Sequence, residues 1–203
     1  MTRPTRSVPL RSKPMQPPAV TYVRHAMPCP EAGVDSTEWH LDDDARRAAS
    51  ALADRLEISD GIGVLLSSSE PKAMETAAVI GARWDAPTVV DHRLREVDRP
   101  WVGDGYRHVA HRYLRGELPD GWEPHGQVAE RAAAAVADAR ATTAGPLVVV
   151  SHGLLLSVHL GDILADGFDR EAFWSCLSFP DAWALEPIGT MHRPMVGAGP
   201  GFS

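Results

Sequence analysis

Two short apolar runs, far apart in the chain, each stop at a histidine. Val20-Thr21-Tyr22-Val23 leads into Arg24-His25, and Ala26-Met27-Pro28-Cys29-Pro30 cannot continue a strand. Leu147-Val148-Val149-Val150 leads into Ser151-His152-Gly153. Unbroken apolar runs of this length read as strands buried on both faces, which need helices on each side of a sheet. Open α/β sheets collect ligands at the carboxyl ends of their strands. Arg24, His25 and His152 are therefore expected in one site assembled from distant segments.

The rest of the chain alternates in the same way. Asp42, Asp43 and Asp44 open a helix whose buried side carries Ala45, Ala48, Ala49, Leu52, Ala53 and Leu56, and they are read as a helix start rather than a metal cluster. Val64-Leu65-Leu66 reads as a second strand. Ser67-Ser68-Ser69-Glu70-Pro71 then supplies a cap and an early proline for a helix to about Arg83. Thr88-Val89-Val90 is a third strand, running into His92-Arg93-Leu94-Arg95-Glu96. Residues 97–126 lack clear periodicity and are read as an insertion with one short helix near Tyr106 to Arg115. An alanine-rich helix from Gln127 to Thr142, a helix from about Leu154 to Leu164 and a last strand at Ala182 to Leu185 complete the pattern. The fold class is α/β, a three-layer α/β/α sandwich with a mostly parallel central sheet and a short insertion over the site.

Charge and cysteine content narrow the function classes. The 203 residues suit one domain, and the net charge of −7 argues against general nucleic-acid binding. Residues 1–18 hold Arg3, Arg6, Arg11 and Lys13, no acid and five prolines, so they read as a solvated, disordered basic leader without an apolar signal core. The remainder, more acidic still, can bind an anion only at a local positive focus. No stretch is long enough to span a membrane, and two cysteines, Cys29 and Cys176, are too few for a disulfide framework, so a cytoplasmic setting is the default. The domain is expected over 19–190, with a loose tail over 191–203. Cys29 is read as incidental, and His108 with His111 as a solvated helix face rather than a zinc pair.

Four segments, each just after an expected strand, together resemble the histidine phosphatase superfamily, the phosphoglycerate mutase-like proteins. Val23-Arg24-His25-Ala26 is similar to the family's Arg-His-Gly motif. Ser67-Ser68-Ser69-Glu70-Pro71-Lys72-Ala73-Met74-Glu75-Thr76-Ala77 is similar to its Ser-Ser-Pro-x-x-Arg-Ala-x-x-Thr-Ala helix start. Leu94-x-Glu96 matches its general-acid segment, and Ser151-His152-Gly153 its second histidine. The resemblance spans about Ala19 to Pro187. It implies a metal-independent phosphatase without cofactor, acting on a small phosphate ester: His25 the nucleophile, Glu96 the general acid, and Arg24, Lys72 and His152 around the phosphate. His152 is expected to be protonated or donating there.

The chemistry agrees with that implication. A phosphoryl group carries about two negative charges near neutral pH, so moving it requires fixed donors at its oxygens and a proton for the leaving oxygen. Three departures stand out. Lys72 replaces an arginine and loses its two-pronged donor geometry. Ala26 replaces glycine, which matters only if that position needs positive φ. Met27, Pro28, Cys29 and Pro30 remove the polar side chains that often follow the first motif. Trp101, Tyr106 and Trp122 in the insertion are candidates for the substrate pocket. The short insertion favours a phosphatase over a phosphoglycerate mutase-type phosphomutase, and Lys72 keeps a non-catalytic phospho-ligand-binding module in view. Substrate identity and oligomeric state stay open.

Overall fold

The computed structural model describes residues 19–164, 167–187 and 189–194. Along the chain come β1 (Val20–Arg24), α1 (Asp43–Arg55), β2 (Val64–Ser67), α2 (Pro71–Trp84), β3 (Thr88–Val90) and α3 (Tyr106–Leu114). They are followed by α4 (His125–Thr142), β4 (Leu147–Ser151), α5 (Gly153–Leu164), α6 (Arg170–Cys176), β5 (Asp181–Leu185) and β6 (Met191–His192). The six strands form one sheet in the order β3-β2-β4-β1-β5-β6. The β3-β2-β4-β1 half is parallel, while β5 pairs antiparallel with both β1 and β6.

Alternation along β4 builds both cores. Val148 and Val150 face α1 and α2 with Leu65, Ala77 and Ile80. Leu147 and Val149 face the opposite layer with Tyr22, Leu66 and residues of α3 to α6. Successive strand side chains point to opposite faces, so an uninterrupted apolar strand is what a sheet covered on both sides requires. Burying a side chain such as Ile80 contributes about 1.5–3 kcal/mol.

Helix starts follow local chemistry, with one exception. Asp42 caps α1 by accepting from the Ala45 N–H at 2.8 Å, and Asp43 and Asp44 fill the first turn. The cap expected from the serines before α2 is not made. Glu70 occupies the cap position and Pro71 the first turn, but no side chain caps the helix. Ser68 Oγ instead accepts from the Glu70 N–H at 3.2 Å, leaving the Glu70 carboxylate free to turn toward the sheet edge.

The third strand forms at Thr88–Val90 as expected, at an edge of the sheet with Val89 and Val90 about half accessible. Other expectations need correction. The short helix α6 was not anticipated, its run Arg170–Cys176 being too brief for a clear period. The chain after residue 190 is not loose at its start: Met191 and His192 form β6, and Arg193 pairs with the buried Asp181 at 3.0 Å. The basic leader and residues 195–203 lie outside the described residues. Ala26 fits without strain, because Asp60 and Asp85 are the non-glycine residues with positive φ among those described.

Candidate active site

Register places the two histidine-bearing strand ends side by side. Arg24 pairs with Ser151 across β1 and β4, and Ser67 with Val150 across β2 and β4. His25, Ser68 and His152 therefore emerge from one edge of the sheet, at the carboxyl ends of three parallel strands. The His25 and His152 rings meet edge to face with centroids 5.0 Å apart. A cleft of about 420 Å³ opens over His25, lined also by Arg24, Glu70, Lys72, Glu96, Arg99 and Phe179, while His152 lies buried behind that lining.

His25 is set up as a nucleophile by one hydrogen bond. Its Nδ1 lies 2.7 Å from the Ala26 carbonyl oxygen, which can only accept, so the proton sits on Nδ1 and the Nε2 lone pair is free. Burial, reinforced by the His152 ring and nearby cations, holds its pKa well below the ordinary imidazole range, so the ring is neutral. The backbone behind it is anchored: the Ala26 N–H donates to Thr76 Oγ1 at 3.0 Å, and that hydroxyl donates to the Lys72 carbonyl.

His152 is fully buried, with Nε2 2.8 Å from Ser68 Oγ. Burial, with the cations Lys72, Arg131, Arg24 and Arg99 adding to it, pushes its pKa well below the ordinary imidazole range, which favours the neutral, donating form of the two expected for it. With Nε2 accepting from the Ser68 hydroxyl, the ring proton is assigned to Nδ1, a buried donor with no partner of its own.

Arg24 lies flat over the Phe179 ring, its Cζ 3.3 Å from the centroid, and donates from Nη1 to the Leu177 carbonyl. Gly153 permits this placement, since a Cβ there would sit 3.2 Å from the guanidinium and 3.0 Å from Trp174 Nε1. The Arg24 Nε is buried without a partner, and burial lowers its pKa to about 10, leaving it cationic at neutral pH.

Glu96 reaches the amino end of α5, where Oε1 accepts from the Leu155 N–H at 3.0 Å and from its neighbour Val97 at 2.9 Å. Burial nonetheless raises its pKa above the usual carboxylate range, with the charge of Glu70 acting in the same direction and the backbone donors opposing. Arg131 on α4 fixes the strap that carries it, donating to the carbonyls of Arg93, Arg95 and Glu96 while paired with Glu123.

Lys72 lines the cleft but is not a free cation. Its ammonium is paired with the Glu70 carboxylate and donates to the Ser36 carbonyl at 2.7 Å. Glu70 also accepts from the Glu96 N–H at 2.6 Å and lies 3.5 Å from His152 Nε2, so one buried acid links three members of the site. Sequence reasoning treated Glu70 only as part of a helix start, although a glutamate just before Pro71 and Lys72 was the available signal. Phe179 and Arg131 carried no signal, being set by folding alone. Of the aromatic candidates, Trp101 and Tyr106 line the cleft. Trp122 does not: it is buried in the core behind Tyr106, their rings stacked with centroids 6.5 Å apart. Among the described residues no three His, Cys, Asp or Glu side chains are grouped as a metal ion would need.

The model of the histidine phosphatase superfamily (branch 1) matches residues 20–182. This chain belongs to the histidine phosphatase superfamily. As a member it is an enzyme of the phosphoric monoester hydrolase type. Solved structures share its fold. A mycobacterial glucosyl-3-phosphoglycerate phosphatase in complex with VO3 is 21% identical with a TM-score of 0.64, covering 83% of this chain and 92% of that one. YhfR of Bacillus stearothermophilus is 22% identical with a TM-score of 0.62, covering 90% and 98%. A structure described as mycobacterial hydrolase 1 is 21% identical with a TM-score of 0.64, covering 87% and 91%. At these identities the likeness is one of fold. None of the curated proteins matches the phosphatase described here.

Proposed function

We propose that this phosphatase acts without a metal on a small phosphate monoester, through a covalent phosphohistidine at His25. The observation that carries this reading is the Nδ1 hydrogen bond from His25 to the Ala26 carbonyl, which leaves a neutral Nε2 lone pair in a cleft that Arg24 also lines. Nε2 attacks phosphorus while the bond from phosphorus to the ester oxygen breaks, and the leaving oxygen takes the proton of Glu96. Water then attacks the phosphohistidine and gives a proton to the Glu96 carboxylate. The N–P bond breaks, releasing phosphate and neutral His25. Arg24 offers its fork of donors to the equatorial oxygens and His152 its Nδ1–H, so charge developing in the transition state meets fixed donors. The raised pKa of Glu96 keeps a proton available for the first step.

The fold neighbours bear on the class of chemistry: one is a glucosyl-3-phosphoglycerate phosphatase, which supports a small phosphorylated substrate. The test is turnover of p-nitrophenyl phosphate with EDTA present, followed by acid quenching of a labelled phosphoryl donor. Sustained turnover and an acid-labile, base-stable adduct absent from His25→Ala are expected. Activity abolished by EDTA, or label that persists in His25→Ala, overturns the assignment.

A further inference from the structure

Glu70 is an acid in the part of the cleft that must receive an anion. It lines the cleft although its side chain is almost wholly buried, and it lies against both Lys72 and His152. A carboxylate offers about four acceptor sites. Oε2 accepts from the Lys72 ammonium and Oε1 from the Glu96 N–H at 2.6 Å, which holds the group in place and leaves acceptor capacity toward the cleft. The chemistry derived above gives this acid no part.

The surrounding charges come from every segment that meets there. At the end of β1 Arg24 is cationic and His25 neutral, and at the end of β4 His152 is neutral. On the strap after β3 Glu96 is the proton donor, and Arg95 lies 3.9 Å from Glu123, which also pairs with Arg131 of α4. Arg99 shares the cleft lining with Asp35, Asp98 and the Tyr106 phenol. The phosphoryl position therefore meets two cations, Arg24 and Lys72, and one carboxylate. Lys72 has three N–H donors, two of them spent on Glu70 and the Ser36 carbonyl. A phosphoryl group that takes the third brings its oxygens against Glu70, which bonds the same nitrogen. Ionised oxygens pressed together with little water between them repel, whereas a proton on the phosphoryl oxygen turns the contact into a charge-assisted hydrogen bond.

We propose that Glu70 makes this site selective for the monoanionic form of the phosphoryl group, accepting a hydrogen bond from its P–OH while Arg24 and Lys72 hold the ionised oxygens. This rests on the reading of the cleft as a phosphatase site. A phosphate monoester is a monoanion below its second ionisation, at a pH of about 6, and a dianion above it. The proton stays on the phosphoryl group through attack by His25 and through hydrolysis, so phosphate leaves as H2PO4− and every other proton moves as described. Ionisation of the substrate then gives kcat/KM an alkaline limb of its own, separate from that of Glu96 and absent from Glu70→Gln.

Calorimetric binding of inorganic phosphate and of sulfate, followed from mildly acidic to mildly alkaline pH, tests the proposal without needing turnover. Sulfate matches phosphate in size and shape but stays a dianion throughout. A titrating protein group would move both ligands, whereas protonation of the ligand moves phosphate alone. In the wild type, phosphate affinity is expected to fall towards about tenfold per pH unit above neutrality, the slope of one linked proton. Sulfate should bind about a hundredfold more weakly than phosphate at mildly acidic pH, without pH dependence. Glu70→Gln removes the opposing charge and frees Lys72, so it should gain sulfate affinity by about tenfold or more and flatten the phosphate profile. A misfolded variant cannot produce that gain. Sulfate that tightens in parallel with phosphate on acidification overturns the proposal, because a protein group is then titrating. So does a wild type that binds neither ligand or binds phosphate equally across the range, and so does a Glu70→Gln variant that still excludes sulfate. If the wild-type profile and the Glu70→Gln gain are both present but p-nitrophenyl phosphate is not hydrolysed, the catalytic reading fails and this one stands.

Discussion

Consider Lys72→Met, which removes the ammonium and keeps an unbranched side chain. Lys72 and Glu70 have side chains only 8% and 7% exposed, so water does little to screen either charge once the pair is broken. Two losses then act on phosphate binding. The first is the donor itself, about 1.5–3 kcal/mol for a hydrogen bond to a charged group. The second is repulsion, because Glu70 Oε1 lies 3.5 Å from His152 Nε2 and is left uncompensated. A phosphate oxygen on the far side of that ring, roughly 6 Å from the carboxylate, feels about 3 kcal/mol per charge pair at an effective dielectric constant of ~20. Lys72→Met is therefore expected to weaken inorganic phosphate by about a thousandfold or more. Adding Glu70→Gln removes the repulsion and leaves only the lost donor, a deficit of about ten- to a hundredfold. The affinity order is wild type, then the double variant, then Lys72→Met, measured by phosphate inhibition of p-nitrophenyl phosphate turnover or by calorimetry where inhibition is too weak. In urea unfolding the single variant should lose about 3–5 kcal/mol, as broken buried pairs do, and the double variant less. A double variant that binds phosphate no better than Lys72→Met would refute the counter-ion role of Glu70.

Three further perturbations probe the rest of the site. His25 must be neutral to attack, and its pKa lies well below the imidazole range, so the acid limb of kcat/KM should fall well below pH 6.5. Glu96 must be protonated, and burial raises its pKa, so the alkaline limb should lie above the ordinary carboxylate range, and Glu96→Gln should abolish that limb. The same variant should slow esters with poor leaving groups by about 10²–10⁴-fold and activated aryl esters less, and equal losses on both count against the acid role. Gly153→Ala places a Cβ 3.2 Å from the Arg24 guanidinium, so phosphate affinity should fall by about tenfold or more with little change in urea midpoint. Arg131→Met leaves Glu123 with only the distant Arg95, 3.9 Å away, as its cation and frees the three carbonyls of the Glu96 strap, and thermal melting should show a loss of about 3–5 kcal/mol alongside reduced kcat.

Much of the site was legible because its chemistry sits where strands end. His25 and His152 each follow an apolar run, and a strand's end fixes where its next residue points. Leu94-x-Glu96 was legible by resemblance, although the Arg131 grip that holds it lies in an alanine-rich helix where nothing distinguishes one arginine from another. Lys72 lines the cleft, yet its charge is paired with a neighbour two residues away that helix-capping logic assigned to a different task. Trp122 and Trp101 have the same composition signal and opposite fates, because whether an aromatic ring faces inward or outward is settled by the packing of Tyr106 and Tyr113, not by local sequence. The last strand, β6, is two residues long and has no period to detect.

The position of β1 also governs when this protein can become active. Its partners on either side, β4 and β5, begin at Leu147 and Asp181, so the first strand made must wait for both. At about 5–20 residues per second of synthesis, roughly 6–25 s separate the appearance of Arg24 from that of Leu147. During that interval Val20–Val23 is an apolar segment with two unpaired edges, the kind of segment chaperones bind. A ribosome-bound chain stalled between α2 and β4 would hold His25 and Lys72 but not His152, and should neither bind phosphate nor resist proteolysis at its amino-terminal half.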